Sequence, residues 1–139
     1  MEATPQSISR HVILELFSPS GSAPVEAELR YDPDDPYAVA VAFQLDGSEL
    51  VWVFGRELLM RGVAEPAGDG DVQVFPSLDS DGRLVIVLQL CSPTGWALVE
   101  AKARDVLDFL ASTRVAVWPG TEAEHLRVDD TIEALFVED

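Results

Sequence analysis

The stretch LRYDPDDPYAVAVAFQLDGSELVWVFGRELLMRG, residues 29–62, decides the fold. Between residues 37 and 45 bulky apolar side chains alternate with small or polar ones, a period of two that predicts a β-strand. Asp46-Gly47 predicts a hairpin turn of type I′, in which both central residues have positive φ. The returning run at residues 50–54 is apolar on both faces. We therefore expect it to be covered on both sides and the hairpin to form the centre of a sheet.

Working outward, further short segments show the same alternation and predict more strands. They lie at residues 8–17, 25–31, 72–78, 84–90 and 96–101. Loops rich in Ser, Pro, Gly and Asp separate them, at residues 18–22, 32–36, 64–71, 80–82 and 92–95. The apolar run at residues 84–90 predicts another central strand. Pro76 predicts an edge or a bulge near the end of its strand, because proline lacks a backbone donor.

Two helices and a third near the end complete the prediction. Residues 55–63 predict one or two helical turns that end at a glycine cap, Gly62. Residues 103–113 predict a helix whose apolar stripe is Ala103, Val106, Leu107 and Leu110. Residues 115–117 are predicted as a short extended piece. A last helix is predicted after an N-cap at Asp129 or Asp130, with Ile132, Leu135 and Phe136 on its apolar face.

This order of elements predicts the fold class. About seven mainly antiparallel strands with two to three helices are typical of an α+β fold. The 139 residues predict one domain, residues 1–139.

The net charge of the chain indicates which classes of binding partner are disfavoured. Twenty-five acidic residues against nine basic ones give a net charge of −16, and the arginines are scattered. Phosphate binding depends on Lys and Arg, so this composition disfavours DNA, RNA and anionic lipid as partners. The first residues lack a signal peptide pattern, and no run is long and apolar enough for a membrane span. We therefore expect a soluble cytoplasmic protein.

The sequence contains no recognisable reactive constellation. His11 and His125 are far apart in the sequence, so both are predicted to be structural or solvated. Cys91 has no basic neighbour and is predicted to be a small buried apolar residue. The segment Gly68-Asp69-Gly70-Asp71 lacks the Gly-Lys-Ser/Thr of a phosphate loop. The segment Asp79-x-Asp81-Gly82 lacks the final Glu of a calcium loop. Both predict hairpin turns, and the acids Asp32, Asp34 and Asp35 predict a solvated turn. We therefore predict no catalytic, cofactor-binding or metal-binding residue.

The three tryptophans carry different predictions. Trp52 lies in the densest apolar run and is expected in the core. Trp96 and Trp118 adjoin turns, and tryptophan is enriched at protein interfaces, so both are candidate contact residues. For Trp118 the alternative is that it packs against the last helix.

Short motifs then recur in a fixed order between residues 14 and 135. They are Leu29-Arg30-Tyr31-Asp32 and Asp35-Pro36-Tyr37-Ala38-Val39; Trp52-Val53-Phe54, Arg56-Glu57-Leu58-Leu59 and Gly62; Gly70-Asp71-Val72 and Pro76-Ser77; Ser92-Pro93 and Gly95; Ala97-Leu98, Glu100-Ala101, Phe109-Leu110 and Thr113; and Pro119-Gly120-Thr121-Glu122. Together they resemble the SsgA-like family of sporulation-specific cell division proteins of actinomycetes. Two positions depart from the family pattern: Cys91 stands where Ser is expected, and Trp118 where a small residue or Pro is expected.

The resemblance implies a fold similar to the whirly single-strand-binding proteins and a homotrimer. It also implies a non-enzymatic adaptor of the divisome that recruits the tubulin-like protein FtsZ to sporulation septum sites and promotes its assembly there. SsgA is a second expected partner, and the expected location is the cytoplasmic side of the septum. The family has no established catalytic site, so no site residue is carried over.

Two other functions remain as alternatives. Fold analogy suggests a single-stranded nucleic-acid-binding protein, which the net charge of −16 disfavours. A cell-wall enzyme would need paired carboxylates in a cleft, and the sequence places none there.

Overall fold

The computed structural model describes residues 7–126. These residues form one eight-stranded antiparallel sheet with two α-helices packed on it. The strands are β1 (Ile8–Ser18), β2 (Gly21–Tyr31), β3 (Ala38–Leu45), β4 (Ser48–Gly55), β5 (Ala67–Asp69), β6 (Val72–Leu78), β7 (Leu84–Ser92) and β8 (Gly95–Lys102). The helices are α1 (Arg56–Gly62) and α2 (Ala103–Ala116), and a 3-10 turn follows at Glu122–His125. The predicted α+β class is confirmed, with eight strands rather than about seven.

The sheet consists of two four-stranded halves. Its order is β4-β3-β2-β1-β8-β7-β6-β5. The halves join where three residues of β1 pair with β8, centred on Leu16 opposite Val99. β7 lies between two strands, as its apolar run predicts. The predicted helix after Asp129 or Asp130 lies outside the described residues.

Two predicted loops are shorter in the structure. β1 and β2 form one long hairpin, in which Ser18 pairs directly with Gly21, so the loop predicted at residues 18–22 is a two-residue turn. Part of the loop predicted at residues 64–71 is the extra strand, β5, which pairs with the first three residues of β6. This three-residue strand has no alternating pattern to detect. Because β5 covers only that part of β6, Pro76 lies where β6 has no second neighbour, as predicted.

The hairpin β3–β4 lies at one end of the sheet, and the prediction that it forms the centre is wrong. β4 pairs with β3 alone among the described strands. Phe54 is buried and Trp52 packs half-buried against the core, but the other apolar side chains of β4 are exposed. An apolar run shows that a strand needs cover. It does not show that the cover comes from the same chain.

The turn of this hairpin is also not the predicted type. Gly47 has a positive φ of 71°. Asp46 has a negative φ, as does every residue other than glycine in the described chain. Positive φ at the second central residue alone is the requirement of a type II turn. The Asp-Gly pair thus predicted the hairpin correctly but not its turn geometry.

The small outer face of β3 makes room for an ion triad. Arg30 on β2 donates to Glu28 at 2.6 Å and to Glu49 on β4 at 2.7 Å. The Arg30 side chain reaches β4 across β3, where Ala42 is small and fully buried. Hydrogen bonds from Arg30, then from Gln44, lower the pKa of the Glu49 carboxyl to about 2. The triad therefore holds the one charged residue of β4, Glu49, ionised and paired on the outer face.

The inner face of the sheet and the two helices bury the core. Val12, Leu29, Val41, Leu88 and Val99 are among the buried strand residues. From α2 the buried side chains are Ala103, Val106, Phe109, Leu110 and Thr113. Leu107, which the predicted stripe included, is exposed, and Phe109 takes its place. The helix also runs to Ala116 instead of giving way to an extended piece at residue 115, and only Val117 is extended.

Helix α1 has the predicted length, but Gly62 is not a glycine cap. The residue at the C-cap is Val63, with a right-handed φ of −76°, and Gly62 is the last helical residue. A Cβ at Gly62 would overlap the Cγ1 and Cβ atoms of Val74 on β6. The glycine is needed because α1 lies almost in backbone contact with the sheet.

Candidate functional site

The residues that the sequence singled out as chemically reactive stay apart. His11 is exposed and lies 3.4 Å from Glu26, and His125 lies in the 3-10 turn. Cys91 is half-buried within β7 and receives a weak hydrogen bond from Gln89 at 3.8 Å. Within residues 7–126 no group of three or more His, Cys, Asp or Glu side chains could hold a metal ion. No helix of that part of the chain is long and apolar enough to cross a membrane.

The acidic loops are turns, as predicted. Asp32 accepts a hydrogen bond from the backbone N–H of Asp34, and Asp79 accepts from those of Asp81 and Arg83, each at 2.9 Å. Gly70 and Gly82 have positive φ, at 63° and 78°, where the chain reverses direction. The carboxylates of Asp32 and Asp79 therefore stabilise the turns by accepting hydrogen bonds from backbone N–H groups.

The most constrained polar group in the described chain is Arg56, the first residue of α1. Its side chain is 1% exposed. Its Nη1 donates to the carbonyl oxygens of Thr113 at 3.1 Å and Val117 at 2.7 Å, and its Nη2 donates to Glu122 at 2.8 Å. Its backbone N–H donates to Tyr37 O at 2.7 Å. Arg56 thus joins the end of β4, the end of α2 and the segment after it; we call this group the Arg56 clamp.

Tyr31 and Glu122 complete the clamp on either side of the guanidinium. The Cζ atom of Arg56 lies 5.0 Å from the centre of the Tyr31 ring, within the range of a cation–π interaction. The Tyr31 hydroxyl donates to Pro36 O at 2.9 Å, and burial raises the pKa of this hydroxyl. The hydrogen bond from Arg56 lowers the pKa of Glu122. Glu122 also accepts from the backbone N–H of Gly120 at 2.8 Å, which orders the preceding turn.

A surface cleft of about 740 Å³ opens beside the clamp. Tyr37, Met60, Arg61 and Pro119 line it together with Arg56 and Glu122. Tyr37 is 53% exposed, and Trp118, the neighbour of Pro119 in the chain, is 68% exposed. The clamp therefore lies beside a cleft lined by the accessible ring of Tyr37, and the exposed Trp118 adjoins that lining in the chain; we call this the aromatic cleft.

The structure brings together residues that the sequence left separate. Arg56, Tyr37 and the segment Pro119–Glu122 belong to three different motifs of the resemblance. The sequence did carry one signal for Arg56, the one basic residue between the apolar runs VWVF and LLM. Of the two predicted contact residues, Trp118 lies beside the cleft. Trp96 is exposed on β8 opposite Cys91 and does not line it.

Three carboxylates meet elsewhere, on the outer face of the sheet. Glu15 on β1 is directly opposite Glu100 on β8, and both line a recess of about 260 Å³ with Asp79 and Lys102. Burial raises the pKa of Glu100, and the charges of Asp79 and Glu15 raise it further.

This arrangement predicts that Glu100 opposes folding at neutral pH. A carboxyl whose folded-state pKa is raised contributes stability only while it is protonated, and that stability is lost as pH rises through the folded pKa. The substitution Glu100→Gln should therefore raise Tm at pH 7, with a smaller gain at pH 4. Thermal unfolding of Glu65→Gln, at an exposed acid outside the recess, serves as the control. An equal gain at both pH values would contradict the assignment.

Part of the basic charge of the chain is already used in ion pairs. Three of the eight basic residues that the structure describes, Arg10, Arg30 and Arg56, are paired with carboxylates. Fewer cations are therefore left to neutralise phosphates, which weighs against nucleic-acid binding.

Comparison with known proteins gives consistent matches. Residues 25–122 match the family model described as Streptomyces sporulation and cell division protein, SsgA. The chain is 46% identical to sporulation-specific cell division protein SsgB of Streptomyces coelicolor over 136 residues, covering 97% of this chain and 98% of that protein. It is 45% identical to SsgB of Frankia casuarinae over 132 residues, covering 94% and 92%.

Solved structures agree with the fold. A structure from work on SsgB mutations and longitudinal cell division during sporulation of Streptomyces coelicolor superposes with a TM-score of 0.81 at 44% identity. It covers 91% of this chain and all of that one. An SsgA-like sporulation-specific cell division protein from Thermobifida fusca superposes with a TM-score of 0.84 at 34% identity, covering 96% and 98%.

Proposed function

The chain belongs to the SsgA family of sporulation and cell division proteins, and from that premise we propose that it is a non-enzymatic adaptor of sporulation septation. In this role it binds FtsZ at future septum sites and promotes FtsZ assembly there. Its relatives at 45–46% identity carry the name sporulation-specific cell division protein SsgB.

The aromatic cleft is the observation that carries this proposal. Its lining includes the exposed ring of Tyr37 and the ion pair between buried Arg56 and half-buried Glu122. The exposed Trp118 precedes the lining residue Pro119 in the chain. Aromatic residues on a rigid support are typical of the centre of protein interfaces. A net charge of −16 favours a protein partner over nucleic acid.

The proposal includes further partners and a location. We propose that the protein acts at the septum, with SsgA as a second partner, and that it forms a homotrimer. Exposed apolar residues outside the cleft, such as Ile13 and Trp96, support self-association because they are candidates for burial between copies. Sedimentation velocity at micromolar concentration tests the trimer, and a monomer would contradict it.

Co-sedimentation with FtsZ polymers tests the adaptor role. The wild-type protein should pellet with polymerised FtsZ and increase the pelleted fraction of FtsZ. The substitution Trp118→Ala should weaken this association by about tenfold or more, as expected for an interface hot spot. Trp96→Ala is the matched control, because it removes a second exposed tryptophan outside the cleft.

The outcomes separate the parts of the proposal. No co-pelleting of the wild-type protein over a wide concentration range would contradict FtsZ binding. Equal binding by the Trp118 and wild-type proteins would remove the aromatic cleft from the interaction. A fluorescent fusion that never concentrates at septa during sporulation would contradict the location.

A further inference from the structure

The free edge of β4 is a second surface that needs a partner. Within residues 7–126 nothing pairs with the edge of β4 that faces away from β3. Leu50, Val51 and Val53 are 49%, 43% and 60% exposed. Proteins protect exposed edges with lysine, proline, bulges or inward-pointing charges. Residues 48–55 contain no lysine, proline or bulge, and their pairing with β3 is unbroken.

Backbone groups make this edge suitable for strand addition. In an antiparallel ladder, residues alternate between bonding to the neighbouring strand and directing their N–H and C=O groups away from it. Half of the β4 backbone groups therefore face outward without a partner strand.

The charges at the two ends of β4 indicate which occupant fits. Asp46 in the preceding turn and Glu57 at the start of α1 are both exposed. Between them the only charged residue of β4, Glu49, lies next to the Asp46 end and is ion-paired with Arg30, which it shares with Glu28. The edge is thus apolar in its middle and negative at both ends. A complementary strand has apolar residues in its middle and Lys or Arg at its ends.

The same charges disfavour twofold pairing of β4 with the β4 strand of a second copy. If two β4 strands paired antiparallel in full overlap, the Asp46 end of one would lie against the Glu57 end of the other. Like charges directly opposite each other destabilise such a pair. Each copy would also bring a net charge of −16.

We propose that β4 binds an extended segment of a partner protein by strand addition, and that the segment is apolar and alternating with a basic residue at each end. This inference rests on the proposed function, because it gives the adaptor a binding mode separate from the aromatic cleft. The added strand forms backbone hydrogen bonds along β4, and its basic ends face Asp46 and Glu57.

Synthetic peptides test the binding mode with purified full-length protein. The probe is a fluorescein-labelled peptide of sequence Lys-Val-Thr-Val-Thr-Val-Thr-Val-Lys, titrated by fluorescence anisotropy. The comparison peptides carry Glu at both ends or Pro in place of the central Thr. The Lys-ended peptide should bind at least about tenfold more tightly than either. Hydrogen exchange should show new protection confined to the β4 amides.

Variants of the protein locate the contact. The substitution Val53→Lys should weaken binding of the Lys-ended peptide by about tenfold, by adding an edge lysine. Val115→Lys is the matched control, because Val115 is 88% exposed on α2. The double substitution Asp46→Lys with Glu57→Lys should reverse the preference in favour of the Glu-ended peptide.

Several results would overturn the inference. These are no binding of the Lys-ended peptide, binding without protection of β4, and equal loss of affinity in the Val53 and Val115 variants. An oligomer that Val53→Lys converts to monomers would assign the edge to a second copy instead. Because this titration contains no FtsZ, its failure is distinguishable from failure of FtsZ co-sedimentation or of septum location.

Discussion

Replacing Arg56 by methionine should destabilise the protein by about 3 kcal/mol, because it removes a buried cation from two buried carbonyl oxygens and from a half-buried carboxylate. Glu122, whose side chain is 18% exposed, would keep its charge without a partner, and the carbonyl oxygens of Thr113 and Val117 would lose their donor. Urea unfolding followed by tryptophan fluorescence measures the change. Since the clamp supports the aromatic cleft, FtsZ co-sedimentation should weaken as well.

The matched control is Arg30→Met, which removes a guanidinium from the exposed triad on the outer face of the sheet. Exposed ion pairs contribute little to stability, so this variant should unfold close to wild-type. Equal destabilisation by the two substitutions would show that the burial of Arg56 does not matter.

The pH dependence of the Arg56 effect has a definite sign. The folded-state pKa of Glu122 is lowered, so the pair contributes its stability above the ordinary carboxyl pKa of about 4.3 and loses it as pH falls through the folded value. The stability difference between wild-type and Arg56→Met should therefore be full at pH 7 and narrow below about pH 4. A difference that stays constant to pH 3 would contradict the contribution of the Glu122 charge.

The substitution Gly62→Ala should also destabilise the protein by about 3 kcal/mol, the upper part of the range for overpacked cores. The new methyl group would overlap Val74, which is fully buried on β6, and would lie 3.1 Å from its carbonyl oxygen. Helix propensity alone predicts the opposite sign, a gain of up to about 1 kcal/mol for alanine over glycine. The sign of the measured change therefore shows whether α1 lies in close contact with the sheet.

Two further variants isolate this contact. Gly95→Ala places a methyl group where nothing lies within 4 Å, so its stability should stay close to wild-type. Combining Gly62→Ala with Val74→Gly removes the overlapping atoms, so the double variant should lose less stability than the sum of the single losses. Strict additivity would rule out the steric explanation.

The elements themselves could be predicted from local patterns. Period-two alternation identified every strand of seven residues or more, and the spacing of Val106 and Leu110 identified α2. The prediction of α2 was wrong in detail at Leu107, because a helix stripe is wide enough for either Leu107 or Phe109 to face the sheet. β5 was missed because three residues carry no periodicity.

Much less of the candidate site than of the fold could be predicted from the sequence. Trp118 was recognised from its residue type, and Arg56, Tyr37 and Pro119–Glu122 were recognised only as separate motifs. Arg56 and Glu122 are 66 residues apart in the chain, and only the packing of α1 against the end of α2 places them 2.8 Å from each other.

The sequence by itself determined the α+β class, the family and the acidic surface, because alternation, motif order and net charge are properties of the chain alone. Only the tertiary structure decided that β4 lies at the end of the sheet, that Gly62 is required by Val74, and that Arg56 is buried against Glu122. Each of these depends on which segments become neighbours in space. Side-chain periodicity specifies which face of a segment needs cover, but it does not specify what provides it.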